Sequence, residues 1–197
     1  MPRKIIIVRH GETDYNVAKI LQGHLDTLLN INGYLQAKTV AEKLKSEKID
    51  VIIASDLKRT YHTALMIAQE QGKKVIETTL LRERHFGVLE GNTFSENKKI
   101  FWCFGYESDE MNRLVEEKSQ AYGVENNIQM KVRLNELLKQ IKKYKNKTIV
   151  LVTHGGTMRE LIKLFGHKIT GSIKNTECFY LEKNKDGTYL FHRHAFS

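Results

Sequence analysis

One proline, one tryptophan and two cysteines occur in 197 residues, and each scarcity excludes something. So little proline rules out a collagen-like repeat or a Pro-rich linker. Cys103 and Cys178 are too few and too far apart for a disulfide framework or a structural zinc site, and they point to a reducing compartment, read here as the cytoplasm. Long apolar runs are missing as well. After Arg3 and Lys4 only Ile5, Ile6, Ile7 and Val8 precede Arg9, too short a stretch for a signal-peptide core or a membrane span, so no membrane partner is expected. Neither an internal repeat nor a low-complexity tract interrupts the chain.

What is present is ordinary globular composition. Hydrophobic residues make up 41% and charged residues 28%, which together with the length fits one domain with a substantial core. Lys and Arg outnumber Asp and Glu by 32 to 23, a net charge of +9, so the surface attracts anions. Because the lysines are dispersed, a solvated basic face explains most of this excess. Aromatic residues are not interleaved with the Lys runs as a base-stacking platform requires, and a nucleic-acid partner is not expected. The oligomeric state is not legible.

Three β-branched runs read as buried strands: Lys4–Arg9, Asp50–Ala54 and Thr148–Val152. Helical spacing appears over 32–45 (Tyr34, Ala37, Ala41, Leu44), over 57–71 before Gly72, and over 124–144 (Val124, Ile128, Val132, Leu138, Ile141). It returns at Met158, Leu161, Ile162 and Phe165 before Gly166. Asp186-Gly187 between two strand-like arms signals a hairpin. The pattern predicts a three-layer α/β/α sandwich with a mostly parallel sheet and an antiparallel edge.

In such sheets the ligand site lies beyond the carboxyl ends of the strands. Arg9-His10-Gly11 follows the first run, Ser55-Asp56-Leu57-Lys58-Arg59 the second, and Thr153-His154-Gly155-Gly156 the third. A cluster of Arg9, His10, Arg59 and His154 without a compensating acid repels itself unless it binds an anion, and Arg forks match phosphate oxygens. The helix starts after Asp56 and His154 are expected to add N–H groups to that anion site. No P-loop pattern occurs. Neither cysteine has the arginine six residues on that a cysteine phosphatase needs; Asp109 and Asn184 stand there instead. No compact His/Asp/Glu set suggests a metal, and no cofactor is implied. An imidazole is the remaining nucleophile.

These residues resemble the histidine phosphatase superfamily, which includes the cofactor-dependent phosphoglycerate mutases and many small phosphatases. Arg9-His10-Gly11-Glu12-Thr13-Asp14-Tyr15-Asn16 is similar to its opening signature, followed by Gln22-Gly23. Ser55 to Thr63 resembles the S-x-L-x-R-x-x-x-T segment. Leu81-Arg82-Glu83 with Gly87 and Glu90-Gly91 resembles the acid-bearing loop, and Thr153-His154-Gly155-Gly156 the closing motif. The resemblance covers residues 4 to 159 and implies a phosphoglycerate mutase-like fold, with 1–197 forming a single domain and 92–123 a cap over the active site. It also implies phosphoryl transfer through phosphohistidine at His10. Arg9, Arg59 and His154 would neutralise the phosphoryl oxygens; Asn16, Gln22, Gly23 and Gly155 would contact the substrate; Glu83 would be the general acid and base. Glu12 and Glu90 are rival acids. His62 is expected to support Arg59, and His85 to lie at the surface. Thr13, Thr63 and Thr153 are expected to orient the residues that touch phosphate.

The mutases of this superfamily carry a longer, arginine-bearing insertion after the acid loop, whereas Asn92 to Gly123 holds only Arg113, and Phe86 stands where mutases usually carry Tyr. A metal-independent phosphomonoesterase acting on a small phosphorylated substrate is therefore favoured over a mutase. A basic, non-catalytic phosphate-binding or nucleic-acid-binding module is the competing class. Phe94, Ile100, Phe101, Trp102, Phe104 and Tyr106 are expected to cap the site.

Overall fold

The computed structural model describes residues 1–93 and 119–194. The aromatics from Phe94 to Tyr106, Cys103, Arg113 and most of the expected cap lie outside them.

A six-stranded sheet runs in the order β3-β2-β4-β1-β5-β6. Strands β1 (Lys4–Arg9), β2 (Val51–Ser55), β3 (Val75–Thr78) and β4 (Thr148–Thr153) are mutually parallel, while β5 (Cys178–Lys183) and β6 (Tyr189–His194) form an antiparallel edge. The expected hairpin is present, with Asp186 accepting from the Thr188 backbone and hydroxyl. In the β1–β4 pair Arg9 lies opposite Thr153, so the two strands deliver His10 and His154 to the same rim.

The sheet is flanked by the α-helices α1 (Asp14–Val17), α2 (Ile31–Lys43), α3 (Lys58–Gln71), α4 (Asn127–Ile141) and α5 (Gly155–Leu164), and short 3-10 turns occupy Thr79–Leu81 and Gly87–Leu89. One face of the sheet, with Ile6, Val8, Ile52 and Val150, packs on Ala41 and Leu44 at α2 and on Ala64 and Ile67 of α3. The other, with Ile5, Ile7, Ile149 and Leu151, packs on Met130, Leu134 and Leu137 of α4 and on Met158 and Leu161 of α5. Strands covered on both sides explain why the runs are continuously apolar.

The reading of α4 needs correction. Ile128 and Val132 are 67% and 65% exposed, and the buried stripe is Met130, Leu134, Leu137 and Ile141. Asn126 and Gln129 close a reciprocal capping box there, which starts the helix at Asn127 and sets a different phase. Strand β3 went unread because, as a four-residue edge, it buries too little apolar surface to leave a signal.

The β1 exit loop lies backbone to backbone against the start of α2. A Cβ added to Gly11 would come within 2.4 Å of Gly33 O, and one added to Gly33 within 2.0 Å of Glu12 O. Only glycine at both positions permits this approach, which holds the segment carrying His10.

Candidate active site

His10 leaves β1 almost fully buried. Its backbone N–H donates to Thr153 O (3.0 Å), and its Nδ1 lies 2.7 Å from Gly11 O. A carbonyl only accepts, so Nδ1 carries the hydrogen and Nε2 keeps its lone pair. Burial is the main cause that pushes the His10 pKa well below the usual 6.5, with Arg59 and then Arg9 adding to it. The imidazole is therefore neutral near neutrality.

Arg59, on the first turn of α3, is 1% exposed. Its Nη1 donates to Leu25 O and its Nη2 to Gly23 O, each at 2.7 Å, leaving Nε buried without a partner. Burial pulls its pKa down to about 10, against the carboxylates of Glu83, Asp26 and Glu90. Thr63 links this helix to the loop that carries His10: its hydroxyl accepts from Gly11 N–H (3.0 Å) and donates to Arg59 O (2.7 Å). Arg9 Nη1 donates to Ile173 O, and its Nε is also buried and unpartnered.

His154 faces His10 edge-on, with ring centroids 5.1 Å apart. Both its ring nitrogens are buried without hydrogen-bond partners. Burial, Arg59 and His10 together hold its pKa well below 6.5. Without a bound anion His154 is therefore neutral, and its part beside the arginines depends on the anion they hold. A buried donor left unpaired costs about 1–3 kcal/mol, and the two arginine Nε–H groups with the one N–H of His154 suit an anionic ligand.

Glu83 is held differently from expectation. Its carboxylate accepts from the backbone N–H groups of Gly156 (2.9 Å), Thr157 (3.0 Å) and Arg84 (2.9 Å). The start of α5, read as a phosphate cradle, is therefore engaged by Glu83, and Lys58 N–H after Asp56 is engaged by Asp26. The cluster does have a nearby acid, because Glu83 acts favourably on both Arg9 and Arg59. Arg82 pairs with Asp56 instead, and Arg84 with Glu125 O and Asn127.

These side chains line one cavity of about 730 Å³ that includes Arg9, His10, Asn16, Gln22, Gly23, Arg59, Glu83, His154 and Gly155. All nine sequence candidates thus meet. Some act by holding others: Gln22 accepts from the hydroxyls of Thr13 (3.0 Å) and Thr27 (2.6 Å), and Gly23 O receives Arg59. The rival acids turn elsewhere. Glu12 accepts from Asn30 (3.0 Å), and Glu90 from the N–H groups of His24 and Phe86. His62 pairs with Tyr34 rather than supporting Arg59, and His85 approaches Gly123 O. Thr13 caps α1 and Thr153 donates to Leu81 O.

Sequence reasoning missed Lys19 and Arg159, which line the cavity, and two residues that brace it. Asn175 Nδ2 donates to His10 O (3.0 Å) and Asn16 Oδ1 (3.2 Å). His24 Nε2 donates to Glu83 O (2.9 Å). None sits in a recognisable pattern at a strand end. Among the described residues, no group of three or more His, Cys, Asp or Glu side chains is placed to hold a metal ion.

The family model of the histidine phosphatase superfamily (branch 1) matches residues 5–188. The chain belongs to this superfamily. A phosphoglycerate mutase-like protein of Arabidopsis thaliana is 41% identical over 161 residues, covering 80% of this chain and 69% of its own length. A metal-independent phosphoserine phosphatase from the same plant is 36% identical over 171 residues, 80% and 66% of the two chains. A broad-specificity phosphatase of Saccharomyces cerevisiae is 33% identical over 202 residues, 93% and 80%. Among solved structures, an Entamoeba histolytica phosphoserine phosphatase in complex with 3-phosphoglyceric acid superposes with a TM-score of 0.77 at 28% identity, covering 100% and 98%. A Bacillus anthracis phosphoglycerate mutase, at 20% identity and a TM-score of 0.82 over 97% and 92%, shares the fold.

Proposed function

We propose that this protein is a metal-independent phosphomonoesterase that hydrolyses small phosphate esters through a phosphohistidine at His10, as a single domain whose 92–123 segment caps the site. One observation carries the reading: Arg9 Nε, Arg59 Nε and both His154 ring nitrogens are buried without partners around a neutral His10 whose free nitrogen is Nε2. A phosphoryl group can accept from Arg9 Nε, Arg59 Nε and whichever His154 nitrogen carries the hydrogen. His10 Nε2 attacks phosphorus, Arg9 and Arg59 offset charge on the equatorial oxygens, and His154 and the Asn16 amide add hydrogen bonds. A bound dianion also favours protonation of His154. Glu83 gives a proton to the leaving alkoxide and, as carboxylate, draws one from the water that attacks phosphohistidine. The phosphoryl group passes to that water and His10 is restored.

Support for hydrolysis over mutase transfer comes from Phe86 in the cavity wall, the single arginine in 92–123, and relatives named as phosphatases. A cytoplasmic setting agrees with the two cysteines, one a buried free thiol at Cys178. Among the described residues no helix is long and apolar enough to cross a membrane.

The test is hydrolysis of p-nitrophenyl phosphate in excess chelator by wild type and His10→Ala. Turnover by wild type alone, with acid-labile, alkali-stable phosphate trapped on the protein, is expected. Equal turnover by His10→Ala, or loss of wild-type turnover in chelator, overturns the reading.

A further inference from the structure

Glu90 places a carboxylate where burial makes one costly. Its side chain is only 10% exposed, and a buried acid needs partners, yet among the described residues it pairs with no Lys or Arg. The basic group nearest its Oε1 is the His85 ring, at 3.8 Å. That same oxygen accepts from two backbone N–H groups, those of His24 and Phe86, each at 2.9 Å. Gly23 closes over it, because a Cβ there would come within 2.1 Å of Oε1.

The two N–H groups belong to different loops, and each loop holds one side of the chemistry. In the first, Leu25 O and Gly23 O take the two Nη groups of Arg59. In the second stands Glu83, three residues before Phe86. The His24 ring adds a strut between them, from Nε2 to Glu83 O. One carboxylate oxygen that accepts from both loops keeps their backbones two hydrogen bonds apart, and charge-assisted bonds of this kind are roughly twice as strong as neutral ones. Glu90 itself is not among the residues that line the cavity. We propose that Glu90 is a positioning residue: it sets the distance between Arg59, which holds the phosphoryl group, and Glu83, which gives the leaving oxygen its proton. Leu21 N–H to Asn92 O (3.0 Å) and Gly91 N–H to Leu21 O (2.9 Å) tie the same two segments, so a change at residue 90 alters their spacing without separating them.

This inference rests on the phosphomonoesterase reading, and its test separates reach from charge. Glu90→Gln keeps the length and an accepting oxygen but loses the charge. Glu90→Asp keeps the charge and, one methylene shorter, cannot reach both N–H groups. Single-turnover rates are measured on glycerol 3-phosphate, whose leaving oxygen needs a proton, and on p-nitrophenyl phosphate, whose leaving group does not. A displacement of about 1 Å costs on the order of 10²-fold, so the alkyl-to-aryl rate ratio should fall by about that factor in Glu90→Asp and return to near the wild-type value in Glu90→Gln. Unfolded protein lowers both rates alike and leaves the ratio unchanged. A wild-type ratio in Glu90→Asp, or a ratio in Glu90→Gln as low as that of Glu90→Asp, overturns the assignment. If wild type turns over neither substrate, it is the phosphomonoesterase reading that fails. Calorimetric Kd values for inorganic phosphate then decide on Glu90: weaker binding in Glu90→Asp alone supports it, and equal binding in Glu90→Asp and wild type overturns it.

Discussion

Glu83 Oε2 lies 2.9 Å from the Gly156 backbone nitrogen, and a Cβ placed on Gly156 would come within 2.5 Å of Glu83 Oε1. The acid therefore sits where only hydrogen is tolerated at residue 156. The group in the way is the end of a flexible side chain, so Gly156→Ala should move Glu83 and leave the fold intact. A misplacement of about 1 Å costs on the order of 10²-fold, and kcat is expected to fall by about that factor with Tm within a few degrees of wild type. A variant with unchanged kcat would show that Glu83 need not occupy this position.

Replacing the carboxyl tests its proton role more directly. Glu83→Gln should lose about 10²–10⁴-fold on an alkyl phosphate, the usual range for general acid–base assistance. The loss of the leaving-group step should be smaller on p-nitrophenyl phosphate, whose leaving group departs as a stable anion. Single-turnover rates on both substrates check this, and equal losses would remove Glu83 as the acid.

Two buried neutral histidines make a statement about pH. His10 and His154 both have folded-state pKa values well below their usual 6.5. The unfolded chain thus binds protons that the folded one does not as pH drops through 6.5, and stability declines from there towards the depressed values. Urea midpoints should be flat above pH 7 and fall between pH 6.5 and pH 5. The acid limb of kcat/KM should lie below 6.5 as well. An acid limb at or above 6.5 would mean that His10 is not the neutral nucleophile.

Asn175 reaches the site through others. By donating to Asn16 Oδ1, which also accepts from the Thr13 N–H, it leaves the Asn16 amide hydrogens for the cavity. Asn175→Asp places an acceptor against that oxygen and should raise KM and the inhibition constant of inorganic phosphate together, by about tenfold for one lost hydrogen bond to an anion. An effect on Tm with neither constant changed would make Asn175 structural only.

Much of this site was legible because the sheet is parallel at its centre. Once 4–9, 51–55 and 148–153 are strands, the residues at their carboxyl ends must share a rim, and His10, Arg59 and His154 are among them. Glu83 was reached by resemblance alone, since nothing local distinguishes it from Glu90 until the α5 N–H groups are in place. Lys19, Arg159, His24 and Asn175 act through tertiary contacts with no sequence period. The α4 phase was misread because Ile128 and Val132 are apolar yet face water, and the cap, Asn126, decides where the helix begins.

The residues just before β5 grip the start of the chain: Thr176 N–H donates to Arg9 O and His10 O, and Arg9 N–H donates to Glu177 O. His10 is thus positioned by a segment more than 160 residues further along the chain. Loosening the 174–177 segment is therefore expected to unseat the His10 backbone even where every side chain of the cavity is kept.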